Sequence, residues 1–140
     1  MNIPFSGGCA CGAVRYTCSS APLAMLSCHC RDCQRSSGAP FASGVVVSTS
    51  AVVVTGSPAS YSVRASSGAS TARSFCSTCG SPLFAKGEAE PEFMSIRFTT
   101  LDDPSDFRPM LDIWTSSAQP WVCMNQELSR FLQSPQGADG

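Results

Sequence analysis

Gly8-Cys9-Ala10-Cys11-Gly12-Ala13-Val14-Arg15-Tyr16 places two cysteines one residue apart between glycines and then runs into the alternating pattern of a strand. Side chains two residues apart on an extended chain point to the same side, which suits two bonds to one ion better than a strained bond between the two sulfurs. A second pair, Cys76-Ser77-Thr78-Cys79-Gly80, lies past the middle of the chain and carries a glycine that lets the backbone fold around a metal. Four thiolates at about 2.3 Å complete a tetrahedral structural zinc. An ion joining pairs so distant in sequence closes a long loop, and in the chain-entropy account that is where a cross-link stabilises most. Cys9, Cys11, Cys76 and Cys79 are therefore assigned to one structural zinc.

Between the pairs stands Ser27-Cys28-His29-Cys30-Arg31-Asp32-Cys33-Gln34-Arg35-Ser36-Ser37-Gly38. Its three cysteines come from one short segment and leave a face of any bound ion uncovered. A zinc that does chemistry keeps about three protein ligands and an open position. That position accepts a thiolate, water or a carbonyl oxygen and acidifies the proton donor it binds. Cys28, Cys30 and Cys33 are thus read both as ligands of a second, more weakly held zinc and as the catalytic residues. A helix starting near Cys33 would aim its first amides at the same place, and Arg31 and Arg35 either add to that field or are solvated surface charges. His29 is the only histidine. Between two ligands on a strand it should face away from the metal, with an acid/base role as the alternative.

The nine cysteines are odd in number and the first five residues show no signal-peptide pattern, so a disulfide scaffold is disfavoured. A reducing, cytoplasmic setting is expected. A chain of 140 residues suffices for one domain, taken as 1–133, with a polar, breaker-rich tail at 134–140. Charged residues make up 14% and the net charge is -1, which argues against nucleic acid as a partner. The longest apolar stretch, 45–54, is interrupted by Ser48, Thr49 and Ser50, so no membrane span is expected. Alternation predicts strands at 13–18, 41–47, 52–54, 72–75, 93–98 and 111–115, and only short helices at 34–37 and 102–106. The fold class is mainly β. Cys18 and Cys123 are read as small buried hydrophobes; Trp114, Trp121, Phe41 and Phe75 are read as core, with Phe41 and Trp121 alternatively walling a cleft.

Taken together, 8–16, Cys28-His29-Cys30-Arg31-Asp32-Cys33 with Ser37-Gly38, and Phe75-Cys76-Ser77-Thr78-Cys79-Gly80-Ser81-Pro82-Leu83 resemble the glutathione-dependent formaldehyde-activating enzyme family, whose domain also occurs in centromere protein V. Leu101-Asp102-Asp103-Pro104, Ile113-Trp114 and Pro120-Trp121 extend the resemblance. It implies a small zinc-containing β-rich fold of the Mss4-like type, two zinc ions divided between the seven cysteines as above, and carbon–sulfur lyase chemistry. In that chemistry glutathione adds to formaldehyde to give S-hydroxymethylglutathione, or the reverse. One position departs from the pattern: Asp112 stands where members often carry His, so no role transfers to it.

From the residues themselves, an open zinc at the trio would bind a small thiol, deprotonate it and hold it beside an aldehyde carbonyl, where proximity does much of the work. Two other readings of the same residues stay open. One is a zinc-stabilised binding module without catalysis; the other is a thiol redox sensor formed by the metal-free trio.

Overall fold

The computed structural model describes residues 1–65 and 68–135. Short apolar runs cut by glycine and proline cannot build long elements, and the chain answers with eleven short strands and one helix among the described residues. In order these are β1 (Phe5–Gly8), β2 (Arg15–Cys18), β3 (Ala24–Cys28), α1 (Arg31–Ser37), β4 (Ala42–Ser48), β5 (Val52–Thr55), β6 (Ala59–Arg64), β7 (Ser70–Phe75), β8 (Pro82–Gly87), β9 (Phe93–Arg97), β10 (Leu111–Ile113) and β11 (Ser129–Arg130). The mainly β class with short helical turns is what the sequence predicts. The six predicted strands are present as β2, β4, β5, β7, β9 and β10. The expected helix at 102–106 is reduced to a 3₁₀ turn, Pro104–Asp106, capped by the Asp103 carboxylate, which accepts from Ser105 N. Residues 136–140 of the expected tail lie outside the described residues; Ser134, at its start, accepts a hydrogen bond from the Trp114 indole.

Two sheets form. β1, β2 and β5 make a three-stranded antiparallel sheet, and the other strands make an eight-stranded one in the order β11-β10-β3-β4-β9-β8-β7-β6. β10 joins β3 in parallel, which sets Asp112 opposite Ser27 and Ile113 opposite Cys28. That pairing brings a late strand against the segment from which the cysteine trio emerges.

The strand period of two divides the large sheet into two working faces. On β4, Val45 and Val47 enter the main core, whereas Gly44 and Val46 line a cavity on the opposite side. On β9, Ile96 is buried in the core while Ser95 and Arg97 face the cavity. The main core lies between the two sheets, where Tyr16, Leu83, Ile96 and Val45 are fully buried. Each such side chain contributes roughly 1.5–3 kcal/mol on area grounds. The Tyr16 hydroxyl keeps its hydrogen bond with Thr100 Oγ1 at 2.8 Å, and its burial pushes the phenol up to about 12.

Gly7 lets β1 approach this core closely: a Cβ there would drive into the Thr100 carbonyl oxygen and the Tyr16 phenol. The carbonyl belongs to backbone and cannot rotate away. Gly7→Ala is therefore expected to destabilise by about 1–3 kcal/mol, read as a lower urea midpoint at unchanged slope. An unchanged midpoint would mean that β1 can slide off the core at no cost.

Candidate metal centres

Cys9 and Cys11 sit on the turn after β1, and Cys76 and Cys79 on the turn between β7 and β8. Both turns close on a glycine, the first over three residues and the second over four. Gly12 N bonds to Cys9 O at 3.2 Å and Gly80 N to Cys76 O at 2.8 Å, and both glycines hold positive φ, at 81° and 78°. A residue with a Cβ is strained there, which is why glycine follows each second cysteine. The four sulfurs lie within 4.8 Å of one another. Cys9 Sγ and Cys11 Sγ are 3.6 Å apart, and Cys11 Sγ and Cys76 Sγ 3.7 Å. Metal–sulfur bonds of about 2.3 Å put the corners of a tetrahedron about 3.8 Å apart, so the sulfurs stand at coordination spacing and well beyond a disulfide bond.

Backbone amides point at these sulfurs as they do at thiolates. Val14 N donates to Cys9 Sγ at 3.2 Å and lowers the Cys9 thiol pKa, and Thr78 N donates to Cys76 Sγ at 3.4 Å. Ser81, through its hydroxyl and then its backbone, pulls Cys79 down to about 5. The donor set fits a divalent soft-to-borderline ion, and the group can hold one.

The second group, Cys28, Cys30 and Cys33, again has its sulfurs within 4.8 Å of one another. Cys28 ends β3 and the other two belong to the start of α1. The helix begins at Arg31, earlier than predicted, with Cys30 as its N-cap, and the Cys33 amide is taken up by Cys30 Sγ at 3.3 Å. A candidate ligand sulfur thus takes up one of the helix's first amides. Hydrogen bonds with Cys30 and Cys33, and then burial, push the Cys28 thiol up. Hydrogen bonds from Cys28 and Cys30 pull Cys33 down to about 2, helped by the charges of Arg73 and Arg97. A divalent ion bound by the three sulfurs would displace the protons that they still carry.

All three cysteines open onto the cavity behind the sheet, about 480 Å³ in volume and walled largely by apolar side chains such as Leu26, Ile113 and Trp114. Trp114 holds φ 57°, in the left-handed region uncommon for a large residue. Its ring is buried against Cys28, Cys33 and Ala42.

His29 points the other way, as predicted. It is 1% exposed, its Nε2 lies 2.9 Å from Asp112 Oδ1, and its ring packs on Phe41. His29 N also bonds to Ile113 O at 3.0 Å. The residue ties the ligand loop to β10 and does not line the cavity, so the acid/base alternative loses its geometry. Asp112, the position that departs from the family pattern, is its partner in that tie.

Of the two readings of Arg31 and Arg35, surface charge is the one borne out: both are exposed, Arg31 donates to Gln34 Oε1, and Arg35 pairs with Asp32 at 3.5 Å. Two other expectations, the burial of Trp121 and of Cys123, need correction. The cations at the trio are Arg73 of β7 and Arg97 of β9, which sequence reading missed; the only signal was an arginine in each of two otherwise uncharged strands. Trp121 is 70% exposed and Cys123 is exposed, because the stretch between β10 and β11 crosses the surface in turns. Cys18 and Trp114 lie where expected, whereas Phe75, expected in the core, is only partly buried with its ring against the exposed Tyr61.

No helix among the described residues is long and apolar enough to cross a membrane. The model for the glutathione-dependent formaldehyde-activating enzyme family matches residues 4–117, a span that contains both cysteine groups. No curated protein sequence matches significantly. Among solved structures, a structural-genomics crystal structure of a Rhodobacter sphaeroides protein is similar at 18% identity and TM-score 0.58, over 90% of this chain and 98% of that one. At such identity the likeness shows a shared fold. With four sulfurs bridging distant turns, three more opening onto a cavity, and the family model spanning most of the sequence, the chain belongs to the glutathione-dependent formaldehyde-activating enzyme family.

Proposed function

We propose that the protein is a zinc-dependent carbon–sulfur lyase, joining a small thiol such as glutathione to formaldehyde or another aldehyde, or cleaving the adduct. The observation that carries this is the asymmetry of the two cysteine groups: four thiols close one centre, while three leave a face open towards a cavity. Cys9, Cys11, Cys76 and Cys79 hold one structural zinc. Cys28, Cys30 and Cys33 hold a second, where the metal supplies Lewis acidity and lowers the pKa of a bound thiol.

The chain's own contribution is positioning. Leu26, Ile113 and Trp114 line a pocket able to seat thiol and aldehyde together, and holding both converts a bimolecular encounter into a local one. Three thiolates donate strongly to a metal, so its acidity is modest. Thiols add to formaldehyde readily in water, and a small reduction of the barrier is enough for such an enzyme.

Two zinc per chain are expected by metal analysis, with a mild chelator removing at most the one at the trio. Exchange NMR should show faster formation of S-hydroxymethylglutathione, or of another thiol–aldehyde adduct, with protein than without. Loss of both ions together would contradict the division of the cysteines. Failure to accelerate exchange for any of a panel of small thiols and aldehydes would favour the non-catalytic zinc module.

A further inference from the structure

Arg73 and Arg97 are 7% and 8% exposed, and both line the cavity beside the cysteine trio. Buried guanidinium groups are ordinarily matched by carboxylates, because an uncompensated charge out of water is costly. Among the described residues neither arginine has a carboxylate within ion-pair distance. Both lean on one neutral group, the Ser36 hydroxyl, which accepts from Arg97 Nη2 at 2.7 Å and from Arg73 Nη1 at 3.3 Å. The Nε atom of each is buried without a hydrogen-bond partner. The carboxylates that also line the cavity, Asp32 and Glu90, are only half-buried, and Asp32 is engaged by Arg35.

The thiolates are the nearest counter-charge, with Arg73 Nη2 3.9 Å from Cys33 Sγ. Their account does not balance. A divalent ion on three thiolates leaves one net negative charge against two guanidinium charges. A thiolate at the open metal position would balance that sum at the metal, but it would leave both guanidinium groups without a carboxylate and their Nε atoms without a partner. The rest of the wall is mostly apolar, which suits a hydrocarbon body and not a peptide rich in hydrogen-bonding groups.

We propose that Arg73 and Arg97 form an anion subsite beside the open metal position, and that the cavity takes a small monoanionic thiol with an apolar body, of the mercaptoalkanoate class, in preference to a neutral thiol. The proposal rests on the lyase reading for the thiol's place at the metal, whereas the anion subsite itself belongs to the two arginines. The volume agrees: formaldehyde has two heavy atoms and needs on the order of 50 Å³ if water's share of about 30 Å³ is the guide, so most of the cavity is available to the thiol partner.

The test uses the zinc-loaded full-length chain. Trp114 lines the cavity, and Trp121→Phe leaves it as the one tryptophan fluorophore. Binding is titrated with 6-mercaptohexanoate, 6-mercaptohexanol, hexanoate and glutathione. The mercapto acid is expected to bind at least about tenfold more tightly than the mercapto alcohol, the ratio one charge-assisted hydrogen bond supplies, and more tightly than glutathione. Arg97→Gln should reduce the acid's advantage to less than about threefold while leaving the alcohol unchanged, and Arg97→Lys should restore part of it.

Hexanoate should bind the Cys30→Ser variant as well as the parent. That result, together with a parent protein inactive towards every aldehyde, would support the subsite while removing the lyase reading. Equal binding of acid and alcohol by the parent would overturn the proposal without any variant, as would an advantage that survives both Arg73→Gln and Arg97→Gln. Tighter binding of glutathione than of the mercapto acid would overturn the apolar part.

Discussion

Cys76→Ser is expected to yield protein that is insoluble or unfolded and carries no zinc at the four-cysteine group. Cys76 is 1% exposed, and its sulfur stands 3.7 Å from that of Cys11 across 65 residues of chain. In the proposed reading an ion joins the turn after β1 to the turn between β7 and β8. Structural zinc sites contribute on the order of 10 kcal/mol to folding of small domains, comparable with the entire stability of a typical domain, about 5–15 kcal/mol. Serine offers a far weaker ligand and leaves a buried hydroxyl facing three thiols. Circular dichroism, zinc analysis and thermal melts check it. A soluble variant that melts cooperatively at the parental temperature would show that these cysteines do not hold the fold.

Cys30→Ser should do the opposite, reducing thiol-dependent turnover of an aldehyde adduct by about a hundredfold or more while the melting temperature moves by only a few degrees. The three cysteines come from one short segment and close no long loop, so the fold gains little from them. Position 30 is also the N-cap of α1, where its sulfur accepts the Cys33 amide. Serine is among the best residues for that place. The substitution thus removes a proposed metal ligand and preserves the helix start. Exchange NMR on S-hydroxymethylglutathione or a mercaptoalkanoate adduct, paired with melts of both proteins, separates the two effects. A variant that keeps its activity would dissociate the trio from the chemistry, and one that unfolds would make it structural.

The strands that could be read in advance were those whose alternation survives in the residue types, such as Arg15-Tyr16-Thr17-Cys18. β1 is half glycine, β3 is Ala-Met-Leu-Ser-Cys and β8 begins with proline; each is a strand because a neighbour pairs with it, which is a tertiary effect. The cysteine groups were legible because metal ligation demands particular residues at particular spacings. The arginines were not. Arg73 and Arg97 are distant in sequence, and what unites them is the neighbouring order of β9, β8 and β7 in the sheet. Trp121 and Cys123 were misjudged for the converse reason: apolar composition indicates burial only when an element carries it inward, and their segment has none.

The parallel seating of β10 on β3 has a consequence for the order of events as the chain is made. Cys28, Cys30 and Cys33 leave the ribosome together and need only each other to capture an ion. The strand that fixes their loop, through the bond from His29 N to Ile113 O, arrives near the end of synthesis. Domains fold as units on the emerging chain at roughly 5–20 residues per second, so the trio spends seconds as a flexible, unguarded chelator. The four-cysteine centre cannot begin to load until Cys76 and Cys79 appear. If both groups hold ions as proposed, the trio is the first to meet the cell's metal pool, and the ion it would first capture depends on the metals present during those seconds.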